Sequence, residues 1–248
     1  MGLIYGINPV KEAIVSGKTI NKLYGSKGSK EVYELLKLAK QKGIVTVEAD
    51  KIKLDKMITE NNEKLKNSQG IVASVTDYEY FEIEDILDYA KSKDEKPFVL
   101  ILDKIEDPHN LGAIIRSAEC MGVHGVIIQK RNACQITDVV EKTAAGAVNY
   151  MRVARVTNIT RAIEELKQAG LWIYGLDMEG ATTIYETDLT GSIGIVVGNE
   201  GDGISRLVRE SCDGIIKIPM VGNTESLNAS VSASITIYEI ARQNNVKK

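Results

Sequence analysis

The chain has 248 residues, 44% of them hydrophobic and 26% charged, with 31 Lys and Arg against 34 Asp and Glu for a net charge of -3. That length exceeds the usual single domain of roughly 100–150 residues, and the composition suits a globular protein able to bury a core. The acidic balance argues against a protein that coats nucleic acid indiscriminately, because that mode rests on many Lys and Arg contacts to phosphate.

The first part of the chain alternates short units. A helix is expected after Asn8 and Pro9 (PVKEAIVSG), then a strand NKLYGS, a helix KEVYELLKLAKQKG, a strand IVTVEA, a short helix KLDKMITE and a strand QGIVASVTDY. The second helix rests on the spacing of Val32, Leu35, Leu36, Leu38 and Ala39, with Gly43 as its stop. These units predict a small α/β domain over 1–77. Residues 1–76 hold 13 Lys, no Arg and 8 acidic residues, a net of +5, so this module is a candidate RNA contact. The next stretch, 77–97, holds 3 basic and 8 acidic residues and closes at Pro97. Residues 78–97 therefore read as an acidic linker with a helical turn in it.

From Phe98 the pattern changes to continuous apolar strands separated by helices: FVLILD, GVIIQ, LWIYGLD, IGIVVG and GIIKIP. Strands apolar on both faces and alternating with helices predict a parallel sheet covered by helices on both faces over 98–248. Ligands of such sheets sit beyond the C-terminal strand ends, which singles out the loops after Asp103, Asp177, Gly198 and Pro219. No apolar run approaches the ~20 residues of a membrane span, and the N-terminus lacks the charged start and apolar block of a secretory signal. A cytoplasmic protein with no membrane partner is expected. The three cysteines are widely spaced without a CxxC pair, so they are expected as free, buried thiols, and two histidines are too few for a histidine metal site. No metal is expected.

Three of the loops carry candidate chemistry. In LILDKIEDPHNLGAIIRSAECMG, Asp107 suits a helix N-cap and Pro108 the first helical position. Leu111, Ile114, Ile115 and Ala118 then form a buried stripe, which leaves Arg116 facing outward, either simply exposed or presented to a phosphate. In IGIVVGNEGDGIS, three glycines follow a strand, but the order is neither GxGxxG nor a P-loop, and Glu200 and Asp202 would repel a pyrophosphate. A positively charged ligand meets no such penalty there. In IPMVGNTESLNASVSASITIYEIARQ, capping by Ser226 or Thr224 and close packing by Ala229, Ser232, Ala233 and Thr236 account for part of the polar crowding, and not for all of it.

In this order, EDPHNLGAIIRSAE, IVVGNEGDGIS and IPMVGNTESLNASVSASI resemble the three motifs of the SpoU/TrmH-type RNA ribose 2'-O-methyltransferases of the SPOUT superfamily. The opening IYGINPVKEAI and its basic module are similar to the ribosomal-protein-like RNA-binding domain of the bacterial branch that methylates a guanosine of 23S rRNA. The resemblance implies an α/β domain with a C-terminal trefoil knot, S-adenosylmethionine as cofactor, structured RNA as substrate (rRNA preferred, tRNA as the alternative, DNA not), and a homodimer with sites near its interface. It also implies cofactor contacts at Gly198, Ile218, Met220 and Leu227, and polar catalytic positions at Asn110, Arg116, Glu200, Ser226 and Asn228. In that scheme Arg116 anchors a phosphate, Asn228 and Ser226 orient the ribose, and Glu200 holds the constellation. The competing readings are a non-catalytic RNA-binding or ribosome-assembly protein on the same fold and a nicotinamide dehydrogenase, the latter disfavoured by the lack of GxGxxG after the first strand.

Overall fold

The protein is described by a computed structural model covering residues 2–16, 18–61, 67–75, 78–222 and 226–244. The chain separates into two compact units, 1–79 and 80–248. In the first, β1 (Gly2–Tyr5), α1 (Ile7–Val15), β2 (Ile20–Gly25), α2 (Lys30–Gln41), β3 (Thr46–Glu48), α3 (Lys51–Asn61) and β4 (Ile71–Val75) follow one another. The sheet order is β1-β4-β2-β3, with β4 antiparallel to both neighbours and β2 parallel to β3. One face is covered by Val10 and Ile14 of α1 and Val32, Leu35 and Ala39 of α2, packed on Leu23, Ile71 and Ala73. Leu54 and Ile58 of α3 cover the other through Val72. Ser29 caps α2 by accepting from the Val32 N–H, as its position before the apolar spacing allows.

The second unit begins with α4 (Ile83–Ser92), in the stretch expected as an acidic linker. That expectation fails because Ile83, Ile86 and Ala90 recur at helical spacing beneath the acidic surface, and all three are buried. Ile83 and Ile86 belong to the same core as Val99, Ile127 and Ile163. The Glu82 N–H donates to Asp85 at 2.8 Å at the start of the helix. A Cβ at Gly125 would stand 2.4 Å from the Ile86 side chain, so this helix lies as close to the sheet as a glycine permits.

Then come β5 (Phe98–Asp103), α5 (Pro108–Cys120), β6 (Gly125–Gln129), α6 (Asp138–Thr143), β7 (Arg152–Val156), α7 (Ile159–Gln168), β8 (Trp172–Leu176), β9 (Thr182–Thr183), β10 (Ile193–Gly198), α8 (Arg206–Ser211), β11 (Gly214–Lys217) and α9 (Ala229–Gln243). The sheet order is β7-β6-β5-β10-β8-β11-β9, and every pairing is parallel. The five expected strands are present; β7 and β9 are additional. Strand order reverses between β5 and β10, the place where the loops of a doubly wound sheet part to admit a ligand.

No helix among the described residues is long and apolar enough to cross a membrane. The cysteines depart from expectation: Cys120 is exposed at the end of α5, and Cys134 and Cys212 are only half-buried. Burial pushes the Cys212 thiol up to about 12, and Asp213 adds to the effect, so this thiol stays protonated and unreactive at neutral pH.

Candidate active site

Asp107 accepts from the His109 N–H at 2.8 Å and Pro108 opens α5, so the start of this helix is fixed by its own sequence. This brings Asn110, which is 6% exposed, to the C-terminal edge of the sheet. From β10 the chain runs directly into the glycine loop. A Cβ at Gly198 would lie 2.1 Å from the Gly203 carbonyl carbon, so the loop can double back only on a glycine. Asn199 Oδ1 then accepts from the N–H groups of Gly201 and Asp202 at 2.9 and 2.7 Å, and Gly203, with φ of +64°, closes the turn by donating to the Asn199 carbonyl at 3.1 Å. These bonds leave Glu200 at the outer tip, turned toward α5 and α9.

There Glu200 Oε1 accepts from Asn110 Nδ2, from Asn228 Nδ2 at 3.1 Å and from the Ala229 N–H at 3.4 Å. Asn228 Nδ2 also donates to Asn110 Oδ1 at 2.9 Å, which closes a triangle of three side chains from three loops. Asn228 Oδ1 accepts from the N–H groups of Ser230 and Val231 and from the Ser230 hydroxyl. Asn228 is therefore the N-cap of α9, where Ser226 or Thr224 was expected; Thr224 lies outside the described residues. The helix starts two residues later than that expectation required, because the same asparagine serves both cap and network. With Asn228 Oδ1 and Nδ2 both engaged, its orientation is set before any ligand arrives. Glu200 Oε2 bonds no described residue.

Beside this triangle opens a cleft of roughly 500 Å³, within the range of small-ligand sites. Gly198, Glu200, Ile218, Met220, Ser226 and Leu227 all line it, so six of the nine expected positions share one cavity. Asn110 and Asn228 join it through Glu200. Arg116 does not: it is exposed on α5, lines no part of the cleft and bonds no described residue. Its outward direction follows from the burial of Leu111, Ile114, Ile115 and Ala118 on the opposite face.

Three residues that the sequence left unassigned complete the wall. Arg209 of α8 lies 3.3 Å from Asp177 and 3.1 Å from Glu179, and all three line the cleft. Asp177 follows β8, so its position at a C-terminal strand end was the available signal; nothing in the sequence pairs it with Arg209. The cleft thus carries Asp177, Glu179, Glu200 and Asp202 against Arg209 as its one cation among the described residues. With Leu176, Val197 and Leu227 as apolar surface, it suits a flat heterocycle joined to a positively charged group.

Residues 97–238 match the SpoU rRNA Methylase family, and residues 3–81 match the family described as RNA 2'-O ribose methyltransferase substrate binding. A Bacillus subtilis (strain 168) protein assigned to the TrmH family of tRNA/rRNA methyltransferases is 41% identical over 244 residues, covering 98% of this chain and 96% of its own. A Staphylococcus saprophyticus protein assigned likewise is 44% identical over 245 residues, with the same coverage of 98% and 96%. The crystal structure of the SpoU methyltransferase AviRb from Streptomyces viridochromogenes, in complex with the cofactor AdoMet, superposes with a TM-score of 0.60 at 25% identity, covering 97% of this chain and 89% of that one. An A. aeolicus TrmH/SpoU tRNA modifying enzyme superposes at 0.55 and 30% identity, over 60% of this chain and 76% of its own. With both units matched, the chain is a member of the SpoU family of RNA methyltransferases.

Proposed function

We propose that the protein transfers the methyl group of S-adenosylmethionine to a ribose 2'-hydroxyl of structured RNA, with a guanosine of 23S rRNA as target. The observation that carries this reading is the triangle of Asn110, Glu200 and Asn228 on the wall of an acidic cleft. Gly198, Ile218, Met220 and Leu227 would hold the adenosine part, largely through their backbone, and the carboxylates favour the sulfonium's charge. When bound, the cofactor supplies a methyl carbon activated by its sulfonium. The chain's own work is then orientation: holding nucleophile and methyl carbon in line contributes roughly 7–11 kcal/mol when the geometry is rigid. Glu200 fixes Asn110 and Asn228, and Ser226 completes the polar rim on which the ribose rests. Arg116 carries a planar guanidinium that donates hydrogen bonds and accepts none, so it serves as the phosphate anchor that polarises the 2'-hydroxyl.

Arg116 is absent from its own chain's cleft, and α9 exposes Val231, Ile235 and Tyr238 along one face at 44%, 37% and 58%. Both features support a homodimer in which Arg116 serves the cleft of the second copy. Arg116→Ala and Asn228→Ala should each lower methylation by about 10²-fold, whereas co-expression of the two should restore clear activity through dimers that carry one intact site. Silence of the mixed dimer would place Arg116 in its own chain's chemistry, and full activity of Arg116→Ala alone would place it outside the mechanism.

The first unit is the gripping module: its cations are all Lys, and A-form RNA is read by shape, loops and 2'-hydroxyls rather than by base edges in the deep groove. Mapping 2'-O-methyl positions in total RNA, with and without the gene, tests the target. One guanosine of 23S rRNA should lose its mark and should not regain it from residues 80–248 alone. A mark lost from tRNA instead would select the alternative substrate, and no lost mark would favour the non-catalytic reading.

A further inference from the structure

Outside the residues already assigned, a buried charged group among the described residues borders the glycine loop. Asp103 ends β5 and is 1% exposed. Its Oδ2 accepts from the Ser205 N–H at 2.7 Å, and its Oδ1 is buried with no hydrogen-bond partner among the described residues. A carboxylate so deeply buried with one partner is costly, since burial strips its hydration and one N–H replaces little of it. Nor does Asp103 form an ion pair with a described residue. An apolar residue here would avoid that cost, but it could not accept the Ser205 N–H.

Its place in the fold indicates what the carboxylate does. Asp103 pairs in register with Gly198, at the boundary between β5 and β10 where strand order reverses. Gly198 is the entry to the glycine loop, and Ser205 is its exit. Within the loop the bonds are internal: Asn199 to Gly201, Asp202 and Gly203. The Ser205 to Asp103 bond ties the exit back to the sheet. Between these two ends stand Asp202, which lines the cleft, and Glu200, which holds Asn110 and Asn228.

We propose that Asp103 is a positioning residue for the methyl transfer, fixing the loop 199–205 in the shape that both encloses the cofactor and presents Glu200. The inference rests on the reading of the cleft as the S-adenosylmethionine site.

Two variants test it. Ser205→Pro removes the N–H donor and leaves the carboxylate; Ser205 has φ of -61°, which a prolyl ring adopts without strain. Asp103→Asn keeps an acceptor oxygen facing Ser205. Calorimetry with S-adenosylmethionine should show roughly 10-fold weaker binding for Ser205→Pro and near wild-type binding for Asp103→Asn. Hydrogen exchange should quicken at 199–205 in Ser205→Pro while β5 and β10 keep their protection. Wild-type affinity in Ser205→Pro overturns the proposal. So does exchange that quickens equally along β5 and β10, which would mark Asp103 as a general stabiliser. A wild-type chain that binds no S-adenosylmethionine overturns the cofactor reading itself, and that failure is visible before any variant is made.

Discussion

Replacing Glu200 with alanine should lower the methylation turnover by about 10²-fold while leaving S-adenosylmethionine affinity within a few-fold of wild type. Glu200 Oε1 receives three donors, one each from α5, the residue before α9 and the backbone of α9 itself. Without it, buried Asn110 keeps an unpaired Nδ2, and hydrogen bonds to a charged acceptor are worth roughly 1.5–3 kcal/mol. The larger consequence is geometric: a displacement of about 1 Å between reacting groups can cost 10²-fold in rate. Glu200→Gln retains an acceptor oxygen and should keep most of the turnover. Single-turnover kinetics at saturating cofactor separates the two variants, and a Gln variant as slow as the Ala variant would require the carboxylate's charge in the chemical step rather than its hydrogen bonds.

Gly198→Ala should abolish cofactor binding, with affinity lowered by at least about 10²-fold. A Cβ there would meet the Gly203 carbonyl carbon at 2.1 Å, its oxygen at 2.2 Å and the Ile204 nitrogen at 2.4 Å. All three are backbone atoms, so no side-chain rotation relieves the clash. Nor can β10 yield, because it is paired with β5 on one side and β8 on the other. Overpacking of this kind typically costs 1–3 kcal/mol of stability, enough to lower Tm by several degrees without unfolding the sheet. Gly201→Ala is the control: its Cβ would meet only Asn199 Oδ1, at an ordinary 3.6 Å. Calorimetry and thermal melting on both variants decide the matter; normal binding by Gly198→Ala would show that the loop opens freely and that the enclosed cleft is not the binding form.

The sequence made some parts of this architecture visible and hid others for identifiable reasons. The central strands were plain because FVLILD and IGIVVG are apolar on both faces, as strands covered by helices on both sides must be. β7 is hard to read in the sequence because Arg152 and Arg155, three residues apart on opposite faces of RVARV, break both a continuous apolar run and a period-2 alternation; Arg152 lies 3.4 Å from the Tyr89 ring centroid. β9 has two residues, too few for any period to register. α4 reads as a linker because eight acidic residues in 77–97 mask the helical spacing of Ile83, Ile86 and Ala90. At the site, motif order assembled Gly198, Glu200, Ile218 and Leu227, but pairings between Asn110 and Asn228, or Arg209 and Asp177, depend on which strand ends lie side by side. Asp103 stands in the sequence as the end of FVLILD, and its bond to Ser205 depends on the return path of the glycine loop.

Helix α9 is held at both ends. At its far end, Gln243 and Asn244 grip the segment before β10: Gln243 Oε1 accepts from the Leu189 N–H at 2.8 Å, and Asn244 Nδ2 donates to the Leu189 carbonyl at 2.9 Å. At its near end, Asn228 closes the polar triangle. This helix is thus the bolt of the whole site. All seven strands of the larger sheet lie before this helix in the chain, so the sheet can pair while Asn228 still has no fixed place, and assembly of the fold and assembly of the polar triangle become separate events.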